Sequence, residues 1–156
     1  MTKTELIKLL QDDLKNELRH NAFYLLAAVH VQGLHREELR EFFKEEAHEE
    51  LDHVLEFADL ISYLGGEPDL SFPGYSSFGV VHQTPYDILE EVVRMEKEVA
   101  ANYANRLKAT EPPAEGDYDP EIAAVHVFYE DQIKHSQTTA WEVSKWLKKF
   151  PVSTTA

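Results

Sequence analysis

The 156-residue sequence contains no cysteine. This absence excludes disulfide bonds, thiolate metal sites, iron–sulfur clusters and a thiol nucleophile. The sequence also lacks any run of 18 apolar residues, and its first residues, MTKTELIKLLQDD, contain no uninterrupted apolar segment. We therefore expect neither a secretory signal peptide nor a membrane-spanning helix, and we expect a cytoplasmic protein.

Basic residues are scarce relative to acidic ones. The chain has 15 Lys and Arg against 29 Asp and Glu, which gives a formal net charge of −14. This balance argues against a nucleic acid as partner, because the phosphate backbone attracts basic surfaces. It suits a protein that attracts cations, although charge alone favours the simpler interpretation that it provides solubility.

Four segments carry the 3.6-residue apolar period of an α-helix, and no strand pattern of comparable strength accompanies them. The first two span about 4–33, after a Thr2…Glu5 capping-box pattern, and about 36–64, before Gly65-Gly66. The third begins at Thr84-Pro85 and ends before TEPPAEGDY, and the fourth runs from Asp119-Pro120 to about 150. The pattern predicts an all-α chain with four long helices.

The connections predict how these helices are arranged. Short links join the first helix to the second and the third to the fourth, so each pair should be antiparallel. About 20 residues separate the second helix from the third, and an extended link of that length reaches about 60 Å. It can therefore pass a 28-residue helix of about 42 Å and make the two helices parallel. We predict one domain over residues 1–150, a ferritin-like four-helix bundle with one long crossover, followed by a short tail over 151–156.

Polar side chains interrupt the apolar stripe of each predicted helix near its midpoint. A lone buried histidine or a lone Glu-x-x-His motif is weak evidence for a metal site. Inward polar residues at similar depth on all four helices are harder to explain, because side chains that merely face solvent would not coincide in this way. Buried carboxylates are costly unless they are neutralised, and a multivalent cation neutralises several at once. Glutamates on two helices with Glu-x-x-His-like motifs on the others form the di-iron carboxylate pattern, which suits iron or manganese and also accommodates zinc. The inward residues are Glu17, His20, Tyr24, Glu46, Glu50, His53, Glu96, Gln132 and His135.

Four sequence motifs together resemble the ferritin-like superfamily, most closely bacterioferritin and bacterial ferritin. LKNELRHNAFYLLAAV is similar to the first helix of that family, with its Glu and a Tyr seven residues later. EEAHEELDHVLEFADLISYLGGEPDL is similar to the second helix, RMEKEVAANY to the third and FYEDQIKHSQ to the fourth. The resemblance extends over about residues 5–148.

The resemblance implies an intra-subunit di-iron site. Glu17 and His53 would bind one iron, and Glu50 would bridge both. Glu96 and His135 would bind the second iron. Manganese or zinc could substitute for iron at such ligands.

Two further residues of the first helix lie near the implied site. Tyr24, two turns after Glu17, would donate an electron or a hydrogen bond to the metal pair. A core tyrosine whose hydroxyl has a partner is an equally good interpretation. His20 is not part of the family pattern. It could support the metal ligands, bind iron in transit or simply lie on the helix face, and we favour the last slightly.

Gln132 departs from bacterioferritin, which has a Glu at this position, and agrees with ferritins, which have a Gln. With Gln132 as a candidate ligand, three carboxylates would face two Fe(II) ions and leave one net positive charge. We therefore expect a weaker second metal site that releases oxidised iron. Glu46, Glu49 or Asp131 could supply the missing charge by moving toward the metal.

Other departures concern haem and assembly. Leu51 occupies the position of the methionine that ligates haem in bacterioferritin, so no haem is expected. Leu55 and Asp59 stand where Dps proteins have the acidic ligands of an intersubunit iron site, so that site is not expected either. After Pro151 the tail VSTTA is too short for the fifth helix of 24-subunit ferritins. The resemblance implies a homo-oligomeric cage whose size stays open.

These observations predict an iron-storage and detoxification protein with ferroxidase activity, which oxidises Fe(II) to Fe(III) with O₂ or H₂O₂. One alternative is another di-iron oxidase, or a peroxidase that resembles rubrerythrin. The second alternative is a non-enzymatic four-helix assembly protein, in which the inward carboxylates merely pair with His53 and His135.

Overall fold

The computed structural model describes residues 1–71, 74 and 83–148. These residues contain four α-helices and no strand. The helices are α1 (Lys3–His30), α2 (Arg36–Tyr63), α3 (Pro85–Ala109) and α4 (Pro120–Leu147). The four predicted helices are therefore confirmed, although α1 and α4 each end about one turn earlier than predicted. The tail, on which the prediction of a missing fifth helix depends, lies outside the described residues.

The starts of α3 and α4 follow the predicted capping chemistry. The Asp87 backbone N–H donates to Thr84 Oγ1 at 3.2 Å, and the Thr84 N–H donates back to Asp87 Oδ2 at 3.4 Å. This reciprocal pair is a capping box in which Asp replaces the more common Glu. At α4, Asp119 Oδ1 accepts from the Glu121 N–H at 2.8 Å. Each cap precedes a proline at the first helical position, where no N–H is needed.

The end of α2 is a Schellman motif at Gly65-Gly66. The Gly65 N–H donates to the Ser62 carbonyl and the Gly66 N–H to the Ile61 carbonyl, both at 2.9 Å. Gly65 has φ +88°, a left-handed conformation that side chains disfavour. A Cβ added at Gly66 would lie only 2.9 Å from Ile7 Cγ2. The first glycine therefore turns the chain, and the second lets it pass close to α1.

The residues after this turn are tied to α1. The Gln11 side chain donates to the Asp69 carbonyl and accepts from the Asp69 N–H, and Lys15 Nζ lies 3.3 Å from Asp69 Oδ2. Hydrogen bonds from Ser71, and then the contact with Lys15, lower the pKa of Asp69 to about 2. The far end of the link returns to the α1–α2 turn, because a Cβ at Gly33 would lie 4.0 Å from Pro85 Cγ. The long crossover thus ends beside the start of α2, as predicted.

Two compact units make up the chain. The α1–α2 unit spans Thr4–Ile88, and the α3–α4 unit extends from Leu89 through α4 and includes Met1–Lys3. The single domain over residues 1–150 remains a prediction.

The apolar period of α1 predicts a core-facing stripe of Leu6, Leu10, Leu14, Leu25 and Ala28, and of these five only Leu25 is not buried. Leu6, Leu10 and Leu14 are fully buried, whereas Leu25 is 49% exposed. Leu25 lies eight residues after Glu17 and therefore about 80° around the helix from it, at the edge of the stripe. The inward positions near Leu25 are occupied instead by Phe23, Ala27 and Val31.

Candidate metal centre

The α1–α2 unit brings Glu17, Glu50 and His53 together. The Asn21 side chain donates to the Ala47 carbonyl at 2.6 Å and fixes the register of the two antiparallel helices at this level. His53 Nδ1 lies 3.4 Å from Glu17 Oε2 and 3.3 Å from Glu50 Oε2. One ligand atom from each of the three residues lies within 4.8 Å of the others. Because a metal ion contacts its ligands at about 2.0–2.2 Å, this spacing can close around one ion with small side-chain movements.

These three side chains are withdrawn from solvent. Glu17 and Glu50 are each 2% exposed, and His53 has intermediate exposure. Burial by itself raises the pKa of Glu17, but hydrogen bonds to Glu50 and His53 and the nearby charge of His20 lower this pKa to about 2. The site therefore keeps a charged carboxylate in the protein interior, which is the form that binds a cation.

His20 is 8% exposed and belongs to the buried face of α1. Its charge is among the causes that lower the pKa of Glu17. This burial confirms the predicted inward orientation of His20, and its role toward a bound metal stays a prediction. His20 follows Glu17 by three residues and therefore lies within one turn of it on the same side of the helix.

The chemistry of the donor set fits a transition-metal ion. Two carboxylates and one imidazole offer oxygen and nitrogen ligands that suit iron or manganese, and zinc as well. Glu17, Glu50 and His53 come from two helices with a fixed register, so the donors are held before any ion binds.

Tyr24 also points inward, as predicted. It is fully buried, and its ring centroid lies 5.4 Å from that of Phe23 and 6.4 Å from that of Phe43. It follows Glu17 by two turns of α1, about 10 Å along the axis. Its role toward a bound metal stays a prediction.

The remaining predicted ligands lie in the α3–α4 unit. Glu96 is 1% exposed and Gln132 5% exposed, and His135 has intermediate exposure. Asp131 is exposed on α4, so a large side-chain movement would be needed for it to supply charge to an interior site. Glu96, Gln132 and His135 thus lie on the helices that the sequence predicted, and each of them is at least partly buried.

Other carboxylates differ in their burial. Glu46 is buried on α2, whereas Glu49 is exposed. Asp13, which the sequence analysis did not single out, is 1% exposed on α1. It precedes Glu17 by one turn, so the four-residue spacing was the signal that could have identified it as an inward residue.

Comparisons with known proteins identify the family and the fold of this chain. Residues 7–152 match the family described as Ferritin-like domain, and this chain belongs to that family. A solved structure of ferritin-like, diiron-carboxylate proteins from Bacillus anthracis str. Ames is similar, with 26% sequence identity and a TM-score of 0.74. The match covers 94% of this chain and 99% of that chain. No curated protein matches the chain.

The structural match confirms the predicted fold class. The chain has the all-α, ferritin-like four-helix bundle fold. Within the described ranges, none of the helices combines the length and apolar character needed to cross a bilayer.

Proposed function

We propose that this chain is an iron-storage and detoxification protein with ferroxidase activity, which oxidises Fe(II) to Fe(III) with O₂ or H₂O₂ as oxidant. The observation that carries the proposal is the buried convergence of Glu17, Glu50 and His53 in a chain of the ferritin-like family. The similar Bacillus anthracis structure, described as diiron-carboxylate, supports iron as the metal.

In this proposal Fe(II) is the substrate, and the protein holds it. Glu17 and His53 bind one ion, Glu50 is shared, and Glu96 and His135 bind a second ion, with Gln132 as a neutral ligand or neighbour. Two Fe(II) ions supply the two electrons that reduce the oxidant. The protein fixes the ligand oxygens and nitrogens, keeps bulk water out of the site and compensates the charge of the ions with buried carboxylates.

The acidic surface has a place in the same proposal. A formal net charge of −14 raises the local concentration of divalent cations around the protein. Attraction of this kind is screened by salt over about 10 Å at 0.1 M ionic strength. Delivery of Fe(II) should therefore slow as ionic strength rises.

Assembly with further copies of the chain is part of the proposal, and the outer face of the α1–α2 unit suits it. Leu25 and Val29 on α1, and Leu51 and Leu55 on α2, are about half or more exposed. Exposed large apolar side chains on two neighbouring helices favour an interaction surface there. The occupant we propose is a second copy of this chain.

Exposed charges of both signs lie on the same two helices. Lys8, Asp12 and Arg19 are exposed on α1, and Glu41 and Lys44 are exposed on α2. An isologous contact of antiparallel copies would bring α1 of each copy against α2 of the other and let opposite charges pair.

Replacement of Glu50 by alanine tests the function. We expect Glu50→Ala to slow Fe(II) oxidation in stopped-flow absorbance by at least about 10–100-fold, the loss that even supporting residues of metal sites cause. Glu45→Ala, an exposed carboxylate on the same helix, is the matched control and should oxidise Fe(II) normally.

Two results would contradict the proposal in different ways. If Glu50→Ala changed thermal stability and left the oxidation rate intact, Glu50 and His53 would be a structural pair of an assembly protein. If the wild-type protein oxidised Fe(II) but never accumulated more than two irons per chain, it would be a di-iron oxidase or peroxidase without a storage role.

A further inference from the structure

One exposed face of α4 combines lysines with a tryptophan. Trp141 is 59% exposed, and Lys145 Nζ lies 3.4 Å from the centroid of its ring. At about 100° per residue, the exposed residues of this face fall within about 80° of one another around the helix. We call them the lysine–tryptophan stripe: Lys134, Thr138, Trp141, Lys145 and Lys148. The stripe is about 21 Å long and ends at the C-cap residue of α4.

The stability of α4 accounts for only part of this stripe. Lys145 and Lys148 lie at the C-terminus of the helix, where the helix dipole favours positive charge. Lys134 lies more than three turns before that end, beyond the reach of this effect. An exposed tryptophan leaves a large apolar ring in water, and such rings are typical anchors of protein interfaces. Lys134 and Trp141 therefore favour a contact surface on this face.

The charge of the stripe is opposite to that of the chain. The nearest carboxylates on α4 are those of Glu130, one turn before Lys134, and Glu142, about a quarter turn to the side of Trp141. The stripe itself contains three lysines and no carboxylate, although the whole chain has a formal net charge of −14. A complementary partner surface is therefore acidic.

An acidic stripe of the same length lies on α2. Its members are all exposed, fall within about 80° of one another and extend over about 21 Å. They are Glu45, Glu49, Asp52, Glu56 and Asp59. When the two stripes align, in either direction, the end lysines of one lie level with the end carboxylates of the other. Trp141 then lies level with Asp52, to which its indole N–H can donate.

The length of the lysine–tryptophan stripe favours such a helix over larger anionic partners. A nucleic acid or a membrane surface extends well beyond about 21 Å and would meet the acidic remainder of the protein, which repels it. A helix that carries carboxylates over the same length contacts the lysines and the tryptophan alone.

We propose that the lysine–tryptophan stripe of one copy binds the acidic stripe of a second copy in a head-to-tail contact. This contact is additional to the isologous contact proposed above, and metal chemistry plays no part in it. Leu51 and Leu55 lie about 100° around α2 from the acidic stripe, so the two contacts use different faces of the helix. A head-to-tail contact leaves one stripe of each copy available, so it joins dimers into larger assemblies.

Charge reversal at the ends of each stripe tests the proposal in the full chain. Sedimentation velocity gives the masses of the assemblies, which should dissociate as salt rises because exposed charges are screened. We expect Lys134→Glu with Lys148→Glu to lose the assemblies larger than a dimer. Glu45→Lys with Asp59→Lys should lose them too, because like charges then face each other.

Mixing the two double variants is the decisive measurement. Each variant then meets a stripe of opposite charge on the other, so the larger assemblies should return. Ion pairs within one chain could not produce this recovery. Lys97→Glu with Lys108→Glu is the matched control, because both lysines are exposed on α3 and the net charge changes equally. This control should keep the wild-type mass.

Trp141→Ala removes the ring without changing the charge and should also lose the larger assemblies. It keeps the test decisive if thermal unfolding shows that a charge reversal has disrupted the fold. Wild-type masses in the stripe variants, or a loss that mixing does not reverse, would overturn the head-to-tail contact. Neither result bears on Fe(II) oxidation, which the Glu50→Ala measurement tests separately.

Discussion

At Glu17, burial and hydrogen bonding act in opposite directions on one carboxyl group. Burial favours the neutral acid, whereas contacts with Glu50 and His53 and the charge of His20 favour the carboxylate and lower the pKa to about 2. Because these contacts outweigh burial, the fold stabilises the charged form of Glu17, and this contribution to stability is lost as the pH falls from about 4.5 toward about 2. A carboxyl group held charged in the interior is a candidate for a functional site.

Gln132→Glu tests the charge balance of the proposed second iron site. The substitution adds a carboxylate at a position that is only 5% exposed. We expect it to lower the melting temperature of the metal-free protein, because moving a carboxylate from solvent into the protein interior costs free energy. Added Mn²⁺ or Zn²⁺ should raise the melting temperature more in this variant than in the wild type, since a fourth carboxylate binds the second ion more tightly.

Gln137→Glu is the matched control for that measurement, because Gln137 is exposed on the same helix. It should change neither the metal-free melting temperature nor the response to metal appreciably. An equal response to metal in wild type and Gln132→Glu would show that Gln132 lies away from any metal site.

On the scale of helices, the exit from α2 combines two glycines with different physical requirements. Gly65 needs its left-handed φ of +88°, and no other atom would lie within 4 Å of an added Cβ. At Gly66 an added Cβ would meet Ile7 Cγ2 at 2.9 Å and the Ile61 carbonyl oxygen at 3.2 Å. The first glycine is required by backbone conformation and the second by close packing of α2 against α1.

Substitutions at the two glycines should therefore respond differently to residue type. Gly65→Ala is expected to cost about 1–2 kcal/mol of unfolding free energy, because of its left-handed conformation. Gly65→Asn should recover part of that loss, since Asn tolerates this conformation. Gly66→Ala is expected to cost about 1–3 kcal/mol through overpacking. Gly66→Asn should be worse. Urea unfolding measures all four, and a recovery by Asn at Gly66 would contradict the packing argument.

For the whole molecule, the distribution of charge matters more than its total. The chain carries a formal net charge of −14, yet basic side chains such as Arg19 on α1 and Lys44 on α2 are exposed among the carboxylates. A uniformly acidic surface would repel further copies of the chain. Exposed charges of both signs on the two helices instead let copies pair opposite charges.

Introducing negative charge at the exposed leucines of α1 and α2 tests the proposed assembly. We expect Leu25→Glu combined with Leu51→Glu to shift the protein to a smaller species in size-exclusion chromatography with light scattering, because each interface would bury uncompensated carboxylates. Val127→Glu, at an exposed apolar residue of α4, is the control and should leave the size unchanged. An unchanged mass for the double variant would show that copies associate through another surface.

The positions of the four helices could be predicted from the sequence because helix signals are local. Apolar periodicity, the caps at Thr84 and Asp119 and the stop at Gly65-Gly66 act within a few residues of the chain. The inward orientation of Glu17 and Glu50 followed from the same local periodicity. For these features the sequence was sufficient, since each depends on backbone geometry and on neighbours one turn away.

Only the tertiary structure decided which inward residues meet and how deeply they lie. The exposure of Leu25 depends on the helices packed beside it, and periodicity at about 100° per residue does not resolve residues at the edge of an apolar stripe. The approach of His53 to Glu17 depends on the register of α1 against α2, which the bond from Asn21 to the Ala47 carbonyl fixes. A shift of one residue in that register would turn these ligands apart, and no local signal in either helix specifies it.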